Sequence, residues 1–440
     1  MRIISLISEW LWGPATCAIF LCVGLFLTIR TGFFQFLHVK NWLVGTVSSL
    51  FSQKMGDKQK GFSAMQSLST ALAATIGTGN IVGVATAMVS GGPGAIFWMW
   101  VAALLGMMTK YAEVLLSVYY RKKGLYRSGP MYVLEHGLKC KPLAVFYAFF
   151  CLAASFGIGN MSQGNSIASA VNATWNVPPA LTGFVVMILA AFILIGGVKR
   201  LGAVTEKLIP FMAGFYLFFS VVVLFMQRHE IPNAFITIFN EAFRFESVGG
   251  GALGYTAMQA VRYGVARGIF TNEAGLGTSS MAHAASTEVR PVKQAMMGIF
   301  EVFVDTIVIC TVTALVILTT GVLDCGLNGA ELTICAFSQN LGGFAQIFIS
   351  ISIVLFAFAS ILCWCFYGEQ CAEYLWGTRA IKAYRFIYIV FIWIGCVLSM
   401  EAVWNICDIF NMLMAIPNLS GVVMLSGQVK KITRDYFQHA

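Results

Sequence analysis

The run from Ser69 to Trp100, STALAATIGTGNIVGVATAMVSGGPGAIFWMW, is apolar enough to enter a bilayer, yet Gly77-Thr78-Gly79-Asn80 stands at its middle. Glycine weakens a helix interior, and a buried asparagine is costly in hydrocarbon. In lipid, backbone that leaves helical geometry survives only against protein or a cavity. The chain therefore has to surround this interruption with other helices. A helix broken at mid-membrane frees backbone groups that can hold an ion or a polar solute, and the run reads as half of such a site.

Composition agrees with a membrane solvent. Of 440 residues, 58% are hydrophobic and 11% charged, where soluble domains carry about 25% charged residues. The long continuous apolar runs exclude a β-barrel, whose segments are short and alternating. The expected class is an all-α polytopic membrane protein. The net charge of +9 is spread over short loops, with no basic tract or binding motif that would indicate nucleic acid. Most of the twelve cysteines lie in or beside apolar runs, which is packing usage rather than a disulfide framework. Cys325 and Cys335 share one loop and could pair. Trp10, Trp12 and Pro14 read as an interfacial belt before a true first span rather than as a cleaved leader.

Eleven spans are expected. They cover 14–29, 62–90, 95–120, 143–171, 180–196, 207–226, 251–286, 292–320, 343–376, 384–400 and 403–427. Amphipathic segments at 36–51 and 231–243 read as surface helices. Alternate loops hold Arg30, Lys40, Lys54, Lys58 and Lys60, then Arg121, Lys122 and Lys123, then Lys199 and Arg200, then Arg290 and Lys293, then Arg379 and Lys382, then Lys430 and Lys431. The other loops hold little beyond Arg2, Arg228 and Arg244. This asymmetry places the N-terminus outside and the C-terminus in the cytoplasm. No soluble domain or obligate protein partner is evident. After the extra helix 14–29, residues 62–228 and 251–427 form two five-span halves. Five is odd, so the halves insert in opposite senses. Each begins with a glycine-broken span, ATIGTGNIVG in one and GIFTNEAGLGTSS in the other. Such a pair points to a transporter site at the repeat interface.

In span two, Thr75, Gly77, Thr78, Gly79 and Asn80 are candidates: freed amides suit a carboxylate, and freed carbonyls suit Na+. The competing reading is close packing of small residues. In span seven, Gly275 and Gly277 permit unwinding, Thr271 and Asn272 supply polar groups, and Phe270 supplies a gate or an apolar wall. Glu273 reads as a tie across the break. In span four, Gln163 both donates and accepts, which suits a zwitterion or an interhelical bond, and Asn165 reads as interhelical glue. In span nine, Ser360 places a hydroxyl near mid-membrane, for Na+ or for the preceding turn's carbonyl. Lys110 and Glu113 read as a self-neutralising pair. Glu301 and Asp305 read as partners of Arg262 or Arg267, or as proton carriers. His283 reads as a packing residue.

With both interruptions in view, the chain resembles the alanine or glycine:cation symporter family, the bacterial sodium:alanine symporters. Gly91-Gly92-Pro93-Gly94-Ala95-Ile96-Phe97-Trp98-Met99-Trp100, Gly79-Asn80-Ile81, the Gln163 patch and Asn272-Glu273-Ala274-Gly275-Leu276-Gly277 match its pattern, and the resemblance covers nearly the whole chain. It implies a 5+5 inverted repeat of the leucine-transporter type preceded by one extra helix, in the bacterial inner membrane. It also implies Na+-coupled uptake of small neutral amino acids, alanine or glycine above all, with Na+ as coupling ion and no cofactor. By resemblance, Gly79, Asn80, Gln163, Phe270, Thr271 and Gly275 surround the amino acid. Where the family commonly has two adjacent hydroxyl residues, this chain has Ala359-Ser360. The alternatives are a proton-coupled carrier of the same fold and a channel or receptor. A membrane enzyme is disfavoured by the absence of a metal-ligand or nucleophile–base motif.

Overall fold

The computed structural model describes residues 11–52, 61–121, 127–243, 253–288, 290–398 and 400–438. Arg2, Trp10, Lys54, Lys58, Lys60, Lys122, Lys123, Arg244 and the first two residues of the seventh expected span lie outside them.

The described chain is all-helical. Its α-helices of six residues or more are α1 (Pro14–Arg30), α2 (Val39–Ser52), α3 (Ala64–Thr75), α4 (Val82–Gly91), α5 (Ala95–Tyr119), α6 (Lys141–Phe156), α7 (Ser162–Trp175), α8 (Pro179–Leu194), α9 (Gly197–Met226) and α10 (Ile231–Ala242). There follow α11 (Leu253–Asn272), α12 (Ser279–Ala284), α13 (Pro291–Val302), α14 (Thr311–Thr319), α15 (Gly329–Leu341), α16 (Phe344–Trp376), α17 (Ala380–Val397), α18 (Met400–Met424) and α19 (Ser426–Gln438). Among the described residues, six helical stretches are long and apolar enough to cross a membrane: α5, α6 with α7, α9, α13 with α14, α16 and α17. The count is seven if Asp408–Met424 and Ser426–Gln438, bent by 56°, form one span. The expected second span is divided between α3 and α4, and the seventh between α11 and α12. Neither piece of the second is long enough to cross alone.

Two π-helical stretches interrupt otherwise continuous helices, Gly157–Met161 between α6 and α7 and Phe303–Cys310 between α13 and α14. Such bulges rotate the side chains that follow and concentrate at functional sites. Here one precedes Gln163 and the other contains Asp305.

The core sits among α3, α5, α6, α7, α11 and α16, whose facing residues are buried, whereas α8 and α9 carry exposed Phe184, Phe192, Phe211, Phe218 and Phe225. An apolar outer surface of this kind is what lipid contact requires. α3 starts with a capping box: Ser63 Oγ accepts from the Gln66 amide, and Gln66 Oε1 from the Ser63 amide.

Several expectations change. Trp12 is buried within the protein rather than turned outward: it stacks with Phe20 and donates to the Asp408 carbonyl. Lys199 and Arg200 belong to the first turns of α9 rather than to a loop. The stretch after α14, expected as loop, folds into α15, capped by Asn328 and pinned to α4 where Thr333 Oγ1 donates to the Ile81 carbonyl. Cys325 and Cys335 are both free thiols.

Candidate functional site

α3 stops at Thr75 because the chain turns out of helical geometry at Ile76 and Gly77, makes one 3-10 turn over Thr78–Asn80 and resumes at Val82. Asn80 holds this shape. Its Oδ1 accepts from the Gly77 amide at 2.9 Å, and its Nδ2 donates to Asp305 Oδ1 at 2.7 Å and to the Asp305 carbonyl at 3.1 Å. The amides of Thr78 and Gly79 and the carbonyls of Ala74, Thr75 and Ile76 have no hydrogen-bond partner among the described residues. Buried backbone groups are otherwise almost always paired.

Three side chains stand against these groups. Thr78 Oγ1 donates to Gln163 Oε1 at 3.2 Å, while Gln163 Nε2 donates to the Ile158 carbonyl at 3.1 Å. Ser360 Oγ donates to the carbonyls of Ala73 and Phe356, both at 3.1 Å, so it reaches across to α3 and also bonds its own preceding turn. An ideal Cβ built on Gly77 would lie 2.8 Å from Ser360 Oγ, and one on Gly79 would lie 2.6 Å from Thr271 Cγ2 and 3.3 Å from the Phe270 ring. Gly77, Thr78, Gly79, Gln163, Phe270, Thr271 and Ser360 therefore share one neighbourhood. Thr75 stands at its edge, with Oγ1 bonded back to Ala71 and Leu72 of its own helix. Thr271 Oγ1 is likewise bonded to Gly268. The cluster is closed to solvent, since Phe270, its most accessible member among those described, is only 7% exposed.

The second interruption is built differently. Glu273, Gly275 and Gly277 take positive φ of 55°, 98° and 78°, a region that favours glycine. Glu273 spans the gap by accepting from Thr278 Oγ1. Gly275 is engaged from outside: its amide donates to Glu113 Oε1 at 2.9 Å, and its carbonyl accepts from Asn418 Nδ2 at 2.8 Å. Tyr147 Oη donates to the Leu276 carbonyl. Built Cβ atoms on Gly275 and Gly277 would meet the Phe20 ring and Pro130, both at 2.4 Å. Gly275 and Gly277 thus face α1, α5 and α18 rather than the Gly79 neighbourhood. The two interruptions are nevertheless connected. Asp305 Oδ1 accepts from Asn80, Asp305 Oδ2 from Thr306, and Thr306 Oγ1 from Asn272.

The charged pairings differ from expectation. Lys110 does not pair with Glu113; its Nζ donates to Ser279 at 2.6 Å and meets Glu301 at 3.5 Å. Glu301 also meets His283 at 2.8 Å, and the other His283 nitrogen meets Gln294 at 2.8 Å. His283 is thus a fully bonded member of a buried network, not a packing residue. Arg262 lies over Tyr263 and Arg267 over Phe270; neither is in the ion pairs of Glu301. Asn165 donates to the Gly395 and Leu398 carbonyls, joining α7 to the end of α17.

Sequence reasoning missed Asn418 and Tyr147, which hold the second interruption, and Trp364, one turn past Ser360, whose ring packs on Gly159. Asn418 did carry a signal, an amide directly after Pro417 within a largely apolar half of its helix.

Residues 1–440 match the family model described as the sodium:alanine symporter family. The chain is 45% identical over 450 residues to the sodium/alanine symporter AgcS of Methanococcus maripaludis, covering 99% of this chain and 97% of that one. In three dimensions it is similar to MhsT, solved in complex with L-phenylalanine (TM-score 0.57, 14% identity, 84% of this chain and 90% of that chain). It is also similar to a Na+-coupled sialic acid symporter (TM-score 0.54, 12% identity, 98% and 85%). At these identities the structural likeness carries the fold alone.

Proposed function

This chain belongs to the sodium:alanine symporter family, transporters rather than enzymes, and from that premise we propose that it moves a small neutral amino acid, alanine or glycine, inward with Na+ by alternating access. The observation that carries the reading is the set of five backbone groups at the first interruption that have no partner among the described residues, beside Gln163 and Ser360. The amides of Thr78 and Gly79, at the positive end of α4, suit the substrate carboxylate. Gln163 Oε1 and neighbouring carbonyls suit its ammonium group. Ser360 Oγ and the carbonyls at the end of α3 supply oxygens for Na+. Thr271 and Phe270 pack directly on Gly79, where even one added carbon would meet Thr271 Cγ2 at 2.6 Å, and packing this tight favours a small substrate.

In this reading the chain crosses the membrane eleven times, as one extra helix and two inverted halves, with its N-terminus outside and its C-terminus in the cytoplasm of a bacterium. The shared fold with MhsT and the sialic acid symporter supports it. A membrane potential supplies about 2.3 kcal/mol per charge per 100 mV, ample drive for accumulation.

The test is alanine uptake by purified protein in proteoliposomes. Accumulation that requires an inward Na+ gradient is expected; no uptake under either a Na+ or a proton gradient would sink the transport reading. Ser360→Ala is expected to raise the half-saturating Na+ concentration about tenfold, equivalent to about 1.4 kcal/mol, which Na+ titration of uptake would measure. Gly79→Ala is expected to abolish alanine uptake while sparing part of glycine uptake; equal loss of both would argue against a size filter at Gly79. A second reading, proton coupling, is favoured by one observation: Asp305 is a buried carboxylate joining both interruptions. Uptake that follows a pH gradient and ignores Na+ would select it.

A further inference from the structure

Behind the second interruption lies a buried carboxylate that the substrate reading does not use. Glu113 is 2% exposed. Its Oε1 is fully engaged, accepting from the Gly275 amide at 2.9 Å and from Asn418 Nδ2 at 2.6 Å. Its Oε2 is buried and has no hydrogen-bond partner among the described residues. Glu113 lines a small cavity, shared with Ser117, Leu134, Asn418 and Val422, whose space is about 10 Å³ to the centre of a water-sized sphere. That is room for about one water or one dehydrated monovalent ion.

The charges nearby leave Glu113 without a contacting counter-ion among the described residues. Lys110, one turn earlier on α5, is committed to Ser279 and Glu301. Glu273, Glu301 and Asp305 add three more buried carboxyl groups around the same interruption. An ionised carboxylate in a membrane interior costs several kcal/mol unless a charge or several donors meet it. Oxygen ligands are at hand: besides Glu113 Oε2, Asn418 and Ser117 line the same cavity, and Ser117 Oγ, which donates to Ser280, keeps lone pairs for an ion.

We propose that Glu113 Oε2, with Asn418 Oδ1 and Ser117 Oγ, forms a second Na+ site, distinct from the oxygens around Ser360, so that two Na+ accompany each amino acid. The ion would neutralise the carboxylate that grips Gly275 and so tie Na+ occupancy to the shape of the second interruption. The inference rests on the Na+-coupled reading above and deepens it.

The experiment measures coupling number in proteoliposomes holding the full chain. With Na+ and alanine gradients fixed, the membrane voltage is set with K+ and valinomycin, and the voltage at which net alanine flux vanishes gives the Na+ moved per alanine. Two are expected for the unaltered protein. Glu113→Gln keeps an acceptor oxygen for Gly275 and Asn418 but removes the charge; it is expected to lower the number to one and to flatten the Na+ dependence of uptake. Ser117→Val narrows the cavity while leaving the carboxylate in place, and the same fall is expected of it should Glu113→Gln not fold. One Na+ per alanine in the unaltered protein, with that dependence weakened by Ser360→Ala, overturns the second site while leaving the proposed function standing. Two Na+ per alanine retained in either variant also overturns it. Alanine flux indifferent to Na+ overturns the Na+-coupled reading and the second site with it.

Discussion

Asn80→Ala is expected to raise the half-saturating alanine concentration by about 10- to 100-fold. One asparagine shapes the first interruption: it caps the Gly77 amide and ties the 3-10 turn to Asp305. Alanine removes both. A hydrogen bond to a charged group contributes about 1.5–3 kcal/mol, and each 1.4 kcal/mol is a factor of about ten in affinity. The loss falls on substrate binding because the amides of Thr78 and Gly79 point usefully only while the turn is held. Asp305→Asn is the informative partner. It preserves an acceptor for Asn80, so it should cost far less than Asp305→Ala. Concentration-dependent uptake of radiolabelled alanine measures all three. Unchanged half-saturation in Asn80→Ala would remove this residue from the site.

Lys110→Met is expected to lower the stability of the folded protein by about 3–5 kcal/mol, the usual result of breaking a buried ion pair from one side. Lys110 and Glu301 are completely buried, and the network runs on through His283, Gln294 and Ser67 to the Ala282 carbonyl. It joins α3 to α12, the half-helices before the first interruption and after the second. Without the ammonium group, Glu301 keeps only His283 among its ion-pairing partners. The double variant Lys110→Met, Glu301→Gln should recover much of the loss, because the stranded charge is gone. Thermal unfolding in detergent, followed by the monodisperse fraction, would measure this. Equal melting temperatures for the single variant and the parent would show that the pair contributes nothing to stability.

These two expectations lean on different kinds of information. Asn80 was legible as a candidate because an amide in the middle of an apolar run has no local reason to be there. Its actual partner, Asp305, lies 225 positions away on a π-helical stretch, and a π bulge has no periodic signature to read. Lys110 and Glu113 were legible as charges at helical spacing, and that spacing misled. Each finds a better partner on another helix, Glu301 for one and the backbone of Gly275 for the other. In the same way Gly275 and Gly277 were read correctly as backbone that must leave the helix, but not for what would press against them: Phe20, Pro130 and Asn418 from distant parts of the chain.

The sequence by itself determined the all-helical class, most of the apolar helical stretches and the two places where a helix must give way. Those follow from local causes, namely apolar runs that lipid requires, glycines that unwind them and polar residues that hydrocarbon rejects. Only the tertiary structure decided which polar atoms meet. It brought Gln163 and Ser360 to the first interruption, gave Asp305 to both, and left one oxygen of Glu113 to itself. Hydrogen bonds reach about 3 Å and choose the nearest competent partner in space, and in a bundle of packed helices that partner is set by crossing and rotation rather than by distance along the chain.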